Sequence, residues 1–177
     1  MRSQSRVSGP FHLLNVALRA LFAGALGASA AGCVADNEAI VFVAPSIEEP
    51  SVDVAAGALG TTLTGSFRLR LRLGPRASGP SQVAVQKFEI ANADQSMSIV
   101  PTLEAKADAD FPVTVNIDSE KNVLFTIDLG GSVLPAMTAE ELCGAGGLTI
   151  AGTITDSLQD GATPVASSVF TPSGCSN

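Results

Sequence analysis

The segment Gly65-Ser66-Phe67-Arg68-Leu69-Arg70-Leu71-Arg72-Leu73-Gly74 constrains this chain more than any other. Apolar and charged residues alternate strictly, with Phe67, Leu69, Leu71 and Leu73 on one parity and Arg68, Arg70 and Arg72 on the other. A period of two places alternate side chains on opposite faces of a β-strand. One face must be buried and the other solvated, as in an antiparallel sheet that covers a core on one side only. A helix would scatter the same residues around its whole circumference.

The rest of the chain beyond residue 50 has the same period. Val83 and Val85 share one parity, whereas Phe88 and Ile90 fall on the other. A one-residue slip near Gln86-Lys87 would return all four to the core face, so a β-bulge is expected there. Phe111, Val113, Val115 and Ile117 alternate with polar residues, as do Val123, Phe125, Ile127 and Leu129. The polar stretch Asp118-Ser119-Glu120-Lys121-Asn122 between them predicts a hairpin. Pro112 predicts an edge or first-residue position for its strand. Leu148 to Ile154 and Val165 to Thr171 read as further strands, and Ile99 to Ala105 as a weaker one interrupted by Pro101. Helical signal is confined to residues 138–143, where Thr138 and Glu141 have capping-box spacing and Gly144 follows. Seven or eight short strands punctuated by Gly, Pro, Asp and Asn predict an all-β fold, a single antiparallel β-sandwich of immunoglobulin-like architecture. A small barrel is the alternative.

The N-terminus follows other rules. Arg2, Arg6 and Arg19 are its only charges, and the apolar run Ala20–Ala31 ends in small residues. This is the layout of a secretory signal. As a helix, a dozen residues rise about 18 Å, short of the roughly 30 Å that a spanning segment must cover. Two cuts fit. Ala28-Ser29-Ala30 is a site for simple secretion. Ser29-Ala30-Ala31-Gly32-Cys33 resembles the lipobox of bacterial lipoprotein precursors, with Ala30 where that family prefers Leu. The resemblance covers residues 1–33 and implies removal of residues 1–32 and a lipid on Cys33. It also implies an envelope location, with the outer membrane favoured because Val34, not Asp, follows the cysteine.

Cysteine number separates the two cuts. Of Cys33, Cys143 and Cys175, one must lack an intramolecular partner. Lipid on Cys33 leaves Cys143 and Cys175 to form a disulfide in an oxidising compartment, the alternative being two unpaired thiols. Residues 33–50, with Pro45, Pro50 and several acidic residues, then read as a tether, in which the apolar Ile40–Ala44 could form a first strand, and residues 51–177 as the sandwich domain.

Loss of the leader removes three of ten basic residues and none of 17 acidic ones, which leaves a net charge of −10. Nucleic-acid binding, which depends on Lys and Arg neutralising phosphates, is not expected. His12, the sole histidine, goes with the leader, and the chain has no Trp or Tyr. Histidine-based nucleophile systems and imidazole zinc sites are thereby excluded. No cofactor or metal is expected, and no enzymatic activity.

Three features could carry function. Arg68, Arg70 and Arg72 would stand about 6.6 Å apart in a row. They could engage anions of an envelope polymer or protein partner, or be neutralised by acidic neighbours such as Glu89 or Glu104. Asp108/Asp110, Asp118/Glu120 and Asp156/Asp160 could supply oxygen to Ca²⁺ if their loops converged. A carboxylate-based hydrolase would need two acids in one cleft. The expectation is a membrane-tethered envelope lipoprotein with a non-enzymatic binding or accessory role. A surface-displayed Ca²⁺- or polymer-binding module and a small hydrolase are the alternatives.

Overall fold

A computed structural model describes residues 40–129 and 132–175. Cys33 and residues 1–32, where a leader is expected, lie outside these residues. Nine strands and one helix follow in order: β1 (Ala44–Gly57), β2 (Gly60–Leu73), β3 (Ser81–Asn92), β4 (Ser98–Val100), β5 (Ala105–Ala107), β6 (Val113–Val115), β7 (Ser119–Asp128), α1 (Met137–Gly144), β8 (Leu148–Asp156) and β9 (Ala162–Ala166). One sheet has the order β1-β2-β7-β5; the other runs β4-β3-β8-β9, with β6 also pairing to β3. All these strand pairs are antiparallel. The fold is a β-sandwich, as the alternation predicts.

Phe67, Leu69, Leu71 and Leu73 are all buried, and the intervening arginines face outward. Phe67 stacks on Phe125 of β7 at 5.0 Å between centroids. Phe88 of β3 meets both rings edge-on, at 4.8 and 4.9 Å, and so joins the two sheets. Such offset and edge-on pairs add about 0.5–1.5 kcal/mol beyond their buried area. The expected bulge is present: the β3–β8 register shifts between Val85 and Lys87. Beyond it Phe88 pairs with Gly152, where a Cβ would collide with the Phe88 ring, so the bulge and the glycine are one packing device.

Three expectations give way. The strand that opens the sandwich starts at Ala44, with Val43 and Ile47 already buried, so residues 44–50 belong to the sheet and not to a tether. The hairpin between the runs at 111–117 and 123–129 does not form. β6 pairs with β3 in one sheet, and β7 with β2 and β5 in the other. Residues 119–122 lengthen β7 to the pair Ser119–Leu73, and the chain changes sheets at 116–118, with Asp118 at φ 52°. Polar turn residues and inward parity look alike whether a chain folds back within one sheet or crosses to the facing one. Thr138 does not cap α1. The helix starts one residue earlier, so Thr138 is buried in its first turn and its N–H donates to Pro135 O.

Cys143 and Cys175 form a disulfide, with 5.6 Å between their Cα atoms. It ties α1 to a C-terminal segment that lies along β1. Val54 N–H donates to Ser173 O, and Ser173 N–H donates to Val52 O.

The two ends of the sandwich differ. The start of β1, the end of β2, the start of β3 and the end of β8 share what we call the entry end. The β1–β2 turn, residues 132–136 and α1 lie at the far end, where Thr61 and Leu134 exchange backbone hydrogen bonds.

Candidate functional site

The arginine row lies on the outer face of β2, and the structure places carboxylates around it. Arg68 pairs with Glu49 at 3.1 Å. Arg70 reaches Glu48 at 3.1 Å through Nη1 and Glu120 through Nη2. Arg72 lies opposite Glu120 in the β2–β7 register. The neutralising residues are therefore Glu48, Glu49 and Glu120. Glu89, expected in that role, is in the other sheet, where it meets Lys87 at 3.5 Å and accepts a bond from Ser98. Glu104 precedes β5, and β7 stands between β5 and β2.

Local backbone geometry explains how two consecutive glutamates serve one face. Neighbours on a regular strand point to opposite sides. Here the β1–β2 register breaks between Glu48 and Ser51, and Glu49 takes φ 53°. Gly65 at φ 151° accommodates the break, since a Cβ there would strike the Ser51 carbonyl. A left-handed glutamate and a side-chain-free partner thus turn Glu48 and Glu49 together towards Arg68 and Arg70.

This arrangement limits the chemistry of the row. Both terminal nitrogens of Arg70 are engaged by carboxylates, so its charge is matched within the fold, while its buried Nε has no hydrogen-bond partner. The Arg70 guanidinium, with Asn122, holds the Glu120 carboxyl below the usual glutamate range, and Glu120 with Glu48 raises Arg70 in return. Glu120 shares a shallow cleft with Ile40, Arg72, Asp118 and Ser119. A carboxyl held in its charged form is poorly suited to donate a proton as a general acid.

The sign of this coupling sets a pH dependence. A depressed carboxyl contributes stability above its unfolded value and loses it as pH falls through the folded value. Arg70→Gln should therefore be less stable than the parent near neutrality. The difference should narrow as pH drops below 4.5, the ordinary glutamate value. Urea unfolding of both proteins across that range checks this, and a pH-independent difference would place the effect in packing. Both side chains are about one-third exposed, so the effect is small.

Two of the acidic loop residues, Asp108 and Asp156, are taken up by donors of the fold itself. Asp108 accepts from Leu124 N–H. Asp156 is buried and accepts from Val43 N–H at 2.7 Å, Leu158 N–H at 2.9 Å and the Ser81 hydroxyl. Among the described residues no three acidic, histidine or cysteine side chains gather as a metal site would require. Glu140 sits in the first turn of α1, and Gly146-Gly147 form part of the connection to β8.

The sequence offers Asp156 as an oxygen donor for Ca²⁺, whereas the structure makes it a centre of the fold, a role its parity already signals. Leu148, Ile150, Gly152, Ile154 and Asp156 share one parity, so the aspartate ends a run of inward positions. Ser81 shares the inward parity of Val83 in the same way. A charged residue at an inward strand position must be met by donors.

Comparison with protein-family models, curated proteins and solved structures finds no match for this chain.

Proposed function

We propose that the chain is an exported lipoprotein of a bacterial envelope, lipid-anchored through Cys33, and that its β-sandwich has a non-enzymatic binding or accessory role. The observation that carries this reading is the Cys143–Cys175 bridge. It accounts for two of three cysteines and calls for an oxidising compartment. The third, Cys33, stands directly after a positively charged, then apolar, then small-residue leader. The first strand starts at Ala44, eleven residues after Cys33, which suits a domain held close to its anchor. The absence of His from the mature chain and the capture of Glu120 by Arg70 favour recognition over catalysis. The partner is an envelope protein or polymer, and Val34 after the cysteine favours the outer membrane.

Mass spectrometry of the mature N-terminus is the test. The expected first residue is a diacylated Cys33, and Cys33→Ser should move the protein to the soluble fraction with an unchanged melting temperature. A soluble parent that starts at Ala31 with a free Cys33 thiol would overturn the proposal.

A further inference from the structure

We infer that the entry end of the sandwich rests on the bilayer that anchors the chain, with Val41, Phe42 and Ile117 in the boundary between headgroups and acyl chains; this rests on the lipid-anchor reading above. Most of the large exposed apolar side chains lie at the two ends of the domain, with Leu124, opposite Arg68 on the outer sheet face, an exception. Val41 is 40% exposed, Phe42 44% and Ile117 42%. They belong to one end: Ile40 lines the cleft formed by Arg72, Gly74 and Asp118, Val43 is fastened to Asp156, and Asp118 N–H donates to Gly74 O. At the far end Leu59 is 89% exposed at the β1–β2 turn, with Val133 and Met137 also exposed. Gly60, next to Leu59, lies against Val133 and Leu134.

Reach selects between the ends. From Cys33 to Ile40 the chain can extend at most about 25 Å. β2 alone, from Gly60 to Leu73, is about 44 Å long at strand rise. With only the far end at the interface, Ile40 would stand about 40 Å above it, beyond the reach of the tether. A domain lying on its side would press the Arg–Glu row, or Gln82, Lys87, Glu89 and Thr153 of the other sheet, against lipid. Those groups would lose water without gaining partners. The entry end combines exposed apolar side chains with proximity to the anchor, and the far end faces away from the membrane.

The contact is apolar in origin. A mature net charge of −10 gives no general attraction to anionic lipid, and at the entry end Arg72 and Arg76 are accompanied by Asp118, Glu120 and Asp160. Apolar side chains at such a surface settle about 5–10 Å into the headgroup and acyl boundary.

The chain has no tryptophan, so one introduced indole is the sole reporter. Phe42→Trp, Ile117→Trp and Leu59→Trp are prepared as acylated proteins, with the lipid on Cys33 verified by mass. They are placed in phosphatidylethanolamine–phosphatidylglycerol vesicles with brominated acyl chains. The indoles at positions 42 and 117 should lose most of their emission, while the one at 59 keeps its emission and stays open to aqueous iodide. Equal brightness at all three positions in verified acylated protein overturns the docked orientation and leaves the anchor standing. Quenching at 59 but not at 42 reverses the orientation and also overturns it. Absence of acylation by mass overturns the anchor reading and this inference with it.

Discussion

Asp156→Ala should lower unfolding stability by about 4 kcal/mol, with the denaturant midpoint shifted and the slope unchanged. The aspartate is 3% exposed and accepts from three donors. Each donor fixes a different part of the entry end: Val43 leads into β1, Ser81 opens β3, and Leu158 belongs to the turn after β8. Alanine would leave two buried or part-buried amides and a hydroxyl unmet, and each such group costs about 1–3 kcal/mol. Asp156→Asn separates hydrogen bonding from volume. With its oxygen towards Ser81 and Leu158, the amide nitrogen faces the Val43 N–H, donor against donor, so the loss should be about half that of alanine. Amide exchange at Val43 and Leu158 should accelerate in both variants. An alanine variant within about 1 kcal/mol of the parent would mean that water replaces the carboxylate. The lead segment also bears on the proposed membrane contact, since Val43 follows Val41 and Phe42 directly. On that proposal, an Asp156→Ala protein should hold an indole at position 42 in a less defined depth, even with the lipid on Cys33 verified by mass.

The sequence made the layers of this fold legible but not the pairing of its strands. Parity assigned Phe67, Leu69 and Leu71 to the core and located the bulge at Gln86-Lys87, because both are local consequences of a two-residue period. Which strands become neighbours depends on contacts distant in sequence. The runs ending at Ile117 and starting at Val123 are near in sequence yet lie in different sheets, because Val113–Val115 fits against β3 and Val123–Ile127 against β2. The arginine row shows the same division. Its existence and outward face were readable, whereas the identity of its counter-ions was not. Glu48 and Glu49 could be placed beside Arg70 and Arg68 only once the left-handed Glu49 and the opening at Gly65 were seen. Compositional reading also failed for residues 44–50. Pro and Glu suggested solvated tether, but Ile47 faces inward while Glu48 and Glu49 answer the arginines, so the acidic residues are the outer face of an edge strand.

Removing the bridge by Cys143→Ser with Cys175→Ser should cost about 3–4 kcal/mol, as expected for loss of a cross-link that closes a loop of 32 residues. The same loss should follow addition of a reductant to the parent. The damage should begin at β1, which is the outermost strand of its sheet. The C-terminal segment covers that edge through Ser173, whose N–H and carbonyl pair with Val52 and Val54 and whose hydroxyl donates to Asp53 at 2.8 Å. Gly174, at φ 77°, lets the segment lie against β1, since a Cβ there would strike the Val54 carbonyl. Two backbone bonds at a chain end cannot by themselves offset the freedom regained by the segment, because ordering each residue costs about 1–2 kcal/mol of backbone entropy. Without the bridge the segment should detach before the sandwich unfolds, and fast amide exchange at Val54 and Ser173 would report it. An uncovered β1 edge offers unpaired N–H and C=O groups to other chains, so the reduced protein should also self-associate more readily as its concentration rises. A double variant that keeps slow exchange at Val54 and loses less than about 1 kcal/mol would show that the segment holds without its cross-link. Retention of full stability would also weaken the export reading, since a bridge the fold does not need gives no reason for an oxidising compartment.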